Sequence, residues 1–237
     1  MSSERHPLQR LPSPGPGLSA ALHVVGLISF SSSFKYLVDH PNQINDSYGW
    51  HMQYLTILGL AAATLAFALG LAADLTGSAA PFAAKNAIAI GAAPLELVVS
   101  VLYWGLRLVD ERLVLPDWAP RLPLAVDLGF HAAPALVLAL DLVLFSPPPA
   151  RPPARTFALS AALALAYWFW IELCFARNGF YPYPIFALLT PPWRVALFSA
   201  AAAIMTLSTF FLDWLYAALN GREPVTAPAP MAAKKAL

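Results

Sequence analysis

The chain has 237 residues, of which 59% are hydrophobic and 11% are charged, and its formal net charge is +1. Ordinary soluble domains carry roughly 25% charged residues, so this composition is typical of a membrane protein. The balanced charge gives no indication of nucleic-acid binding. The chain has one cysteine, Cys174, which excludes an intrachain disulfide and is expected to be a small core residue.

Six apolar stretches follow one another along the chain, each close to the roughly 20 residues that a helix needs to cross a bilayer. Inside lipid, the backbone satisfies its own hydrogen bonds only in helices or in a closed barrel. These stretches are too long and too continuously apolar for barrel strands, which alternate. The sequence therefore predicts an all-α integral membrane protein, a bundle of six transmembrane helices. The spans are expected at residues 18–38, 55–74, 87–108, 122–145, 157–176 and 195–218.

Short loops join the spans, so the chain is predicted to form one transmembrane domain, residues 18–219. The tails, residues 1–17 and 220–237, are rich in proline, alanine and small polar residues and are predicted to be disordered. The first span is full length and has no small-residue cleavage site after it, so it is expected to be a retained helix and not a signal peptide.

An even number of spans places both tails on one side of the membrane, so the charges of the loops predict the orientation. The side that carries the tails has eight basic residues and the opposite side has six, and this excess predicts cytosolic tails. The eight are Arg5, Arg10, Lys85, Arg151, Arg155, Arg222, Lys234 and Lys235, and the six are Lys35, Arg107, Arg112, Arg121, Arg177 and Arg194.

The chain ends in Lys234-Lys235-Ala236-Leu237, which resembles a dilysine retrieval signal. Such a signal has lysines at the third and fourth positions from a cytosolic C-terminus and is read by a receptor. The alternative is a basic tail that only increases solubility. Together with the predicted orientation, this ending favours the membrane of the endoplasmic reticulum.

Ionisable residues at membrane depth are the main candidates for function, because each costs around 2.5–3.5 kcal/mol near the centre of a transmembrane helix. Those near the ends of their helices, His23, Asp141 and Asp213, are expected to reach water on the cytosolic side. The full set is His23, Glu96, Asp127, His131, Asp141, Glu172 and Asp213.

Asp127 and His131 are four residues apart, so they share one face of the fourth helix and can interact directly. A carboxylate that holds one imidazole nitrogen orients a histidine as a proton acceptor. The alternative is a hydrogen-bonded polar pair that joins two helices.

Thr56, Gly59 and Ala63 form a stripe of small residues on the second helix, which predicts close helix packing and a bundle-facing Thr56. The alternative for this threonine is a hydroxyl bonded back to its own helix. At 1.5 Å per residue, Thr56 lies about 9 Å and His131 about 14 Å below the same membrane surface, so the two are predicted to be able to meet. Glu172 falls in the same layer and is expected to line their cavity.

No other chemistry is indicated by the motifs of the chain. There is no G-x-S-x-G elbow, P-loop or dinucleotide fingerprint. The five histidines are not paired at the three- to five-residue spacing of a local metal motif, so no metal or other cofactor is predicted.

Four short motifs in order resemble one family. They are YGWHMQYLT at residues 48–56, DERLVLP at 110–116, DLGFH at 127–131 and NGFYPYP at 178–184. With these, the chain is similar to the family of the androgen-induced gene protein and the androgen-dependent regulator of tissue factor pathway inhibitor, and looks closest to its fungal members. The resemblance covers nearly all of the chain between the tails.

This resemblance implies a six-helix membrane protein, and the animal members of the family hydrolyse fatty acid esters of hydroxy fatty acids. The nucleophilic threonine of the family maps onto Thr56 and its catalytic histidine onto His131. The chain departs from the animal pattern at residues 52–53, where the family has tryptophan-lysine, and at residues 132–133, where it has threonines. These departures affect residues next to the mapped pair, so the resemblance does not fix the substrate.

The sequence is therefore consistent with two functions. The first is an intramembrane lipid-ester hydrolase in which Thr56 is the nucleophile, His131 the general base and Asp127, by its spacing, the residue that orients the base. Trp50, Tyr54 and Tyr181 are considered as oxyanion donors, although an interfacial aromatic belt is the favoured role for them. The alternative is a membrane protein without catalysis, such as a small transporter or a lipid-binding or signalling scaffold.

Overall fold

The computed structural model of the protein describes residue 6 and residues 8–119, 121–149 and 152–221. Five long apolar helices and one bent helix pair account for six spans, which confirms the predicted all-α membrane bundle. The helices are α1 (Leu18–Asp39), α2 (Leu55–Thr76), α3 (Ala79–Val109), α4 (Leu124–His131), α5 (Ala133–Phe145), α6 (Pro153–Asn178), the single-turn α7 (Ile185–Leu188) and α8 (Pro191–Asn220).

The fourth span is not one continuous helix, because α4 and α5 meet at an angle of 44°. Pro134 lies in the first turn of α5, where it has no N–H group to donate to the carbonyl of Phe130. Ala132, with φ −137°, connects the two helices. The sequence predicts a single span over residues 122–145, and the break within it places His131 at the end of a helix.

The third helix begins eight residues earlier than residue 87, where the sequence predicts its start. The preceding helix, α2, is closed by Gly77, whose φ of +66° is the left-handed conformation common after a helix end. Only Gly77 and Ser78 separate α2 from α3. Lys85, which the sequence assigned to a loop, therefore lies inside α3.

Close packing of α1 on α2 depends on glycine at two contacts. A Cβ atom on Gly70 would lie 2.2 Å from Nε2 of His23, and one on Gly26 would lie 2.4 Å from the Phe67 ring. Small residues of this kind allow membrane helices to approach closely. Phe67 also contacts Phe30, with 5.3 Å between the ring centroids, and both side chains are fully buried in the main core.

Large apolar side chains cover the outside of the bundle, as expected for helices in contact with lipid. Leu65, Phe169, Leu207 and Trp214 are each more than half exposed. These outward-facing side chains and the buried polar groups described below are the reverse of the arrangement in a soluble domain.

The N-terminal segment, residues 8–17, packs on the bundle. The backbone N–H of Gly15 donates to Oδ1 of Asp74 at 2.9 Å, and the hydroxyls of Ser13 and Ser19 lie 3.2 Å apart. The sequence predicted disorder for residues 1–17, whereas this part of the tail makes tertiary contacts. Residues 1–5, 7 and 222–237, which include Lys234 and Lys235, lie outside the described residues.

Four ionisable side chains form a buried ion cluster. They are His23 near the start of α1, Asp74 near the end of α2, Lys85 near the start of α3 and Asp141 near the end of α5. His23 and Asp141 are each 1% exposed, so the expectation that they reach water is wrong. The early start of α3 explains the difference, because it brings Lys85 into the bundle as a partner for Asp141.

The contacts of this buried ion cluster satisfy most of its charged atoms. Nζ of Lys85 lies 2.9 and 2.8 Å from the two carboxylate oxygens of Asp141 and 3.0 Å from Oγ of Ser146. The His23 ring lies between two carboxylates, with Nδ1 2.6 Å from Asp74 and Nε2 3.2 Å from Asp141. Four helices, α1, α2, α3 and α5, are joined by these interactions.

Candidate functional site

Thr56 lies in the first turn of α2, directly after the loop that connects α1 to α2. Two side chains of α6 hold the end of this loop by its backbone carbonyls. The Trp170 indole donates to the carbonyl of Met52 at 2.9 Å, and the Tyr167 hydroxyl donates to that of Gln53 at 3.0 Å. The start of α2, and with it Thr56, is therefore fixed against α6.

The side chain of Gln53 fixes the same loop from within. It is fully buried, and its amide donates to Oγ of Ser47 at 2.8 Å and to the carbonyl of Trp50 at 3.0 Å. Gln53, which departs from the animal family pattern, thus has a structural role in this chain.

Thr56 lines a cavity of about 410 Å³ between α2, α3, α6 and α8. Its walls are almost entirely aliphatic and aromatic, and the hydroxyl groups among the lining residues belong to Thr56, Tyr103, Ser160, Tyr167 and Tyr183. An apolar space with few polar groups suits an acyl chain or another apolar ligand.

Tyr183 is the polar neighbour of Thr56. Both residues line the same cavity. Ring contacts hold the phenol in place, with centroids 5.4 Å from Tyr54 and 6.1 Å from Phe186. Sequence reasoning considered Trp50, Tyr54 and Tyr181 as polar groups near the reaction and missed Tyr183, although Tyr183 belongs to the NGFYPYP motif.

Asp127 and His131 are in contact, as their spacing predicts. Nδ1 of His131 lies 2.9 Å from Oδ1 of Asp127 and 3.1 Å from the Asp127 carbonyl oxygen. Asp127 is 2% exposed and forms an ion pair with Arg107, which also donates to the Tyr103 hydroxyl at 3.0 Å. Nε2 of His131 makes no hydrogen bond within the part of the chain that the structure describes.

The break between α4 and α5 supplies further support for His131. In a continuous helix its carbonyl would accept the N–H group of Ala135. Here that carbonyl accepts hydrogen bonds from Oγ of Ser100 at 2.6 Å and from the Trp104 indole at 3.2 Å. The backbone of His131 is therefore fixed to α3, and its ring nitrogen Nδ1 is fixed to Asp127.

Tyr103 connects His131 with the cavity. The two rings are stacked, with centroids 3.4 Å apart and an interplanar angle of 3°, and Tyr103 lines the same cavity as Thr56. His131 itself is not among the lining residues, and no hydrogen bond joins it to Thr56 among the described residues. The structure thus brings Asp127 and His131 together but does not bring His131 into contact with Thr56.

Glu172 does not line the cavity, so that expectation is wrong. Its carboxylate accepts hydrogen bonds from the hydroxyl of Tyr181 at 2.9 Å, the indole of Trp168 at 3.1 Å and Nη1 of Arg194 at 3.2 Å. Glu172 lies five residues beyond Tyr167, a rotation of about 140° from the cavity-facing side of α6. Position along the sequence did not predict which face of α6 Glu172 occupies.

Glu96 is a buried carboxyl group at the interface of α2 and α3. It is 1% exposed, and its Oε1 has no hydrogen-bond partner among the described residues. A Cβ atom on Gly59, three residues after Thr56 on α2, would lie 2.6 Å from this oxygen. The Glu96 side chain therefore occupies the space that glycine leaves open at the interface of α2 and α3.

Metal-binding side chains are not assembled anywhere in the described part of the chain. No group of three or more histidine, cysteine, aspartate or glutamate side chains there has an arrangement that would hold a metal ion.

Comparison with known proteins identifies the family. The family model described as FAR-17a/AIG1-like protein matches residues 18–217, which is nearly the whole bundle. A protein of the fission yeast Schizosaccharomyces pombe, described as a UPF0641 membrane protein, is 34% identical over 212 residues that cover 87% of this chain and 94% of the yeast protein. No solved structure matches the chain. The protein is therefore a membrane protein that belongs to the FAR-17a/AIG1-like family.

Proposed function

We propose that this protein is an intramembrane lipid-ester hydrolase with Thr56 as nucleophile and His131 as general base. The observation that carries the proposal is the position of Thr56 in the wall of an apolar cavity of about 410 Å³, beside Tyr103, whose ring stacks on His131. The resemblance of the chain to hydrolases of fatty acid esters of hydroxy fatty acids assigns the same two residues.

The walls of the cavity support a lipid ester as the substrate class. Leu58, Leu102, Leu163, Phe198 and Met205 supply apolar surface on α2, α3, α6 and α8. Few polar groups are available to replace the hydration of a polar ligand, so the cavity favours acyl chains with a single reactive ester. A fatty acid ester of a hydroxy fatty acid fits this description.

The first chemical step forms an acyl-enzyme. Oγ1 of Thr56 attacks the ester carbonyl carbon, the Thr56 proton passes to Nε2 of His131, and the carbonyl π electrons move to the carbonyl oxygen. When this tetrahedral intermediate collapses, the bond to the alcohol oxygen breaks. The alcohol leaves with the proton from His131, and the acyl group stays on Thr56.

The second step releases the acid. Water attacks the acyl carbon while His131 accepts one of its protons, and collapse of the second intermediate returns that proton to Oγ1 of Thr56. Asp127 holds Nδ1 of His131 throughout and is a positioning residue, since it acts through the imidazole.

The mechanism requires an approach of Thr56 and His131, which are not joined by a hydrogen bond among the described residues. Catalytic hydrogen bonds are often long without substrate and shorten to about 2.6–3.2 Å in the reacting complex. Tyr103 is stacked on His131. We infer that this ring moves when the ester enters, which exposes Nε2 of His131 to Thr56.

A lipid-binding protein without catalysis is the second candidate. The missing hydrogen bond between Thr56 and His131 favours it, since an apolar cavity alone is sufficient to hold a lipid. Under this alternative the Asp127–His131 contact only joins α3 to α4, and a bound lipid would remain chemically unchanged.

Turnover of an ester by purified protein distinguishes the two candidates. Detergent-solubilised wild type is incubated with a fatty acid ester of a hydroxy fatty acid, and free fatty acid is measured by mass spectrometry. Thr56→Ala and His131→Ala should abolish hydrolysis, the double variant should be scarcely worse than either single one, and Thr56→Ser should remain active. Folding is checked by size exclusion, with Thr64→Ala as a matched α2 control, since the Thr64 hydroxyl donates to its own helix at Leu60. Full activity of a folded Thr56→Ala variant would contradict the proposal.

We further propose that the protein resides in the endoplasmic reticulum membrane with both termini in the cytosol. The excess of basic residues on the tail side and the ending Lys234-Lys235-Ala236-Leu237 support this proposal. Tags on both termini should be accessible to antibody in cells whose plasma membrane alone is permeabilised. A protected tag at either end would show that the orientation is wrong.

A further inference from the structure

The start of α2 holds two backbone N–H groups next to the Thr56 hydroxyl. The first N–H groups of a helix have no partner within the helix. Those of Ile57 and Leu58 donate to the carbonyl of Tyr54, at 3.1 and 3.2 Å. The N–H groups of Leu55 and Thr56 make no backbone hydrogen bond among the described residues. The start of α2 therefore carries N–H groups without a backbone partner next to the nucleophile, at the cavity that Tyr183 also lines.

Tyr183 is held in this place by the fold and by its ring contacts. The neighbouring Pro182 and Pro184 restrict its backbone, and Tyr54 and Phe186 contact its ring. Part of its surface faces the cavity that Thr56 also lines. Tyr183 thus reaches this cavity from the loop between α6 and α7, although it lies 127 residues after Thr56 in the sequence.

We propose that Tyr183 is a catalytic residue whose hydroxyl donates a hydrogen bond to the ester carbonyl oxygen as that oxygen becomes negatively charged. The proposal rests on the proposed function, since it needs Thr56 to attack an ester. The oxygen that develops charge lies on the carbon attacked by Oγ1 of Thr56, inside the cavity that Tyr183 also lines. The other two tyrosine hydroxyls of this cavity bond elsewhere, since that of Tyr103 accepts from Arg107 and that of Tyr167 donates to the carbonyl of Gln53. No proton is transferred from Tyr183, and the atoms of the two chemical steps balance as written above.

The other aromatic donors considered from the sequence are poorly placed for this role. Trp50, Tyr54 and Tyr181 are absent from the cavity wall. The Tyr181 hydroxyl is occupied by Glu172 and Arg194 instead. Burial raises the pKa of the Tyr183 phenol, so its hydroxyl stays protonated and remains a donor at neutral pH.

The test compares Tyr183→Phe with Tyr181→Phe, a matched change two residues away in the same loop. The probes are a long-chain 4-nitrophenyl ester as substrate and its ether analogue as a competitor that cannot react. Loss of one donor to an oxyanion costs about 10²–10³-fold in kcat. We expect this loss for Tyr183→Phe, with KM and the ether inhibition constant changed less than threefold, and nearly unchanged kinetics for Tyr181→Phe. If Tyr183 had only a structural role, Tyr183→Phe would weaken binding of the ether analogue as well as lower kcat.

Covalent labelling separates failure of this proposal from failure of the proposed function. A fluorophosphonate probe should label Thr56 in the wild type, as mapped by peptide mass spectrometry, and Tyr183→Phe should be labelled at least tenfold more slowly. If the wild type is labelled at Thr56 and Tyr183→Phe reacts equally fast with unchanged kcat, Tyr183 is not catalytic, while Thr56 remains the nucleophile. If the wild type is neither labelled at Thr56 nor active, both proposals are overturned.

Discussion

Replacing Lys85 by methionine should destabilise the bundle strongly, because it removes the cation from the buried ion cluster. Nζ of Lys85 contacts both carboxylate oxygens of Asp141, at 2.9 and 2.8 Å, and neither side chain is more than 1% exposed. Methionine has a similar volume, so the change removes charge without leaving a large cavity. Breaking a buried ion pair from one side costs roughly 3–5 kcal/mol, since the other charge stays buried.

Lys35 provides the matched control. Lys35 also pairs with an aspartate, since its Nζ lies 2.6 Å from Asp39 on α1, but the Lys35 side chain is 72% exposed. Exposed pairs at this helical spacing contribute about 0.3–0.5 kcal/mol, so Lys35→Met should change stability little. The predicted difference between the two variants is therefore about 2.5–4.7 kcal/mol.

The assay is reversible unfolding of purified protein in mixed micelles of increasing denaturing detergent, followed by far-ultraviolet circular dichroism. It gives the free energy of unfolding for the wild type and both variants under one set of conditions. Removing both charges with Lys85→Met and Asp141→Leu should recover part of the loss, since no uncompensated charge then remains between these two positions. If Lys85→Met unfolds at the same detergent fraction as Lys35→Met, the reasoning about the buried ion cluster is wrong.

Three further predictions follow from single contacts. Gly70→Ala should destabilise the bundle, because its Cβ would overlap the His23 ring. Gly91→Ala has no atom near the new Cβ, so it should be neutral or stabilising by up to about 1 kcal/mol. The same unfolding assay compares the free energies of unfolding of the two variants. Asp127→Asn should reduce kcat on the lipid ester by less than the roughly 10²–10⁴-fold that general-base catalysis contributes, because the amide oxygen still accepts from the imidazole, and activity equal to wild type would show that Asp127 has no positioning role. Changing Lys234 and Lys235 to serine should shift the protein forward in the secretory pathway, measured by fluorescence microscopy, and unchanged retention would show that these lysines are not the signal.

The spans could be predicted from sequence because the bilayer imposes a one-dimensional requirement of length and polarity. The errors occur where a polar residue lies near a helix end. Hydropathy placed the start of α3 after Lys85, since a lysine reduces the local average, but the helix begins at Ala79 and carries this lysine into the bundle. A charge can be tolerated there only with a partner, and the partner, Asp141, is 56 residues away in the sequence.

The candidate site was predictable only where its parts are local in sequence. Asp127 and His131 are one helical turn apart, so spacing alone implied their contact. Tyr183 reaches Thr56 only through the packing of a distant loop, and its proline-rich motif gave no spacing relative to α2. Glu172 was assigned to the wrong face of α6, since the face depends on which neighbours the helix packs against, and its carboxylate accepts from Tyr181.

The two histidine–carboxylate contacts described for the bundle differ in a way that distinguishes a structural role from a catalytic one. The His23 ring lies between two carboxylates, with Nδ1 hydrogen-bonded to Asp74 at 2.6 Å and Nε2 3.2 Å from Asp141, and it lines no part of the cavity that Thr56 lines. A general base needs one nitrogen held by a partner and the other available to the proton that it accepts. His131 meets this requirement, because Nδ1 is held by Asp127 and Nε2 has no hydrogen bond among the described residues. The same pair of residue types therefore stabilises the fold at one end of the bundle and supports the proposed chemistry at the other.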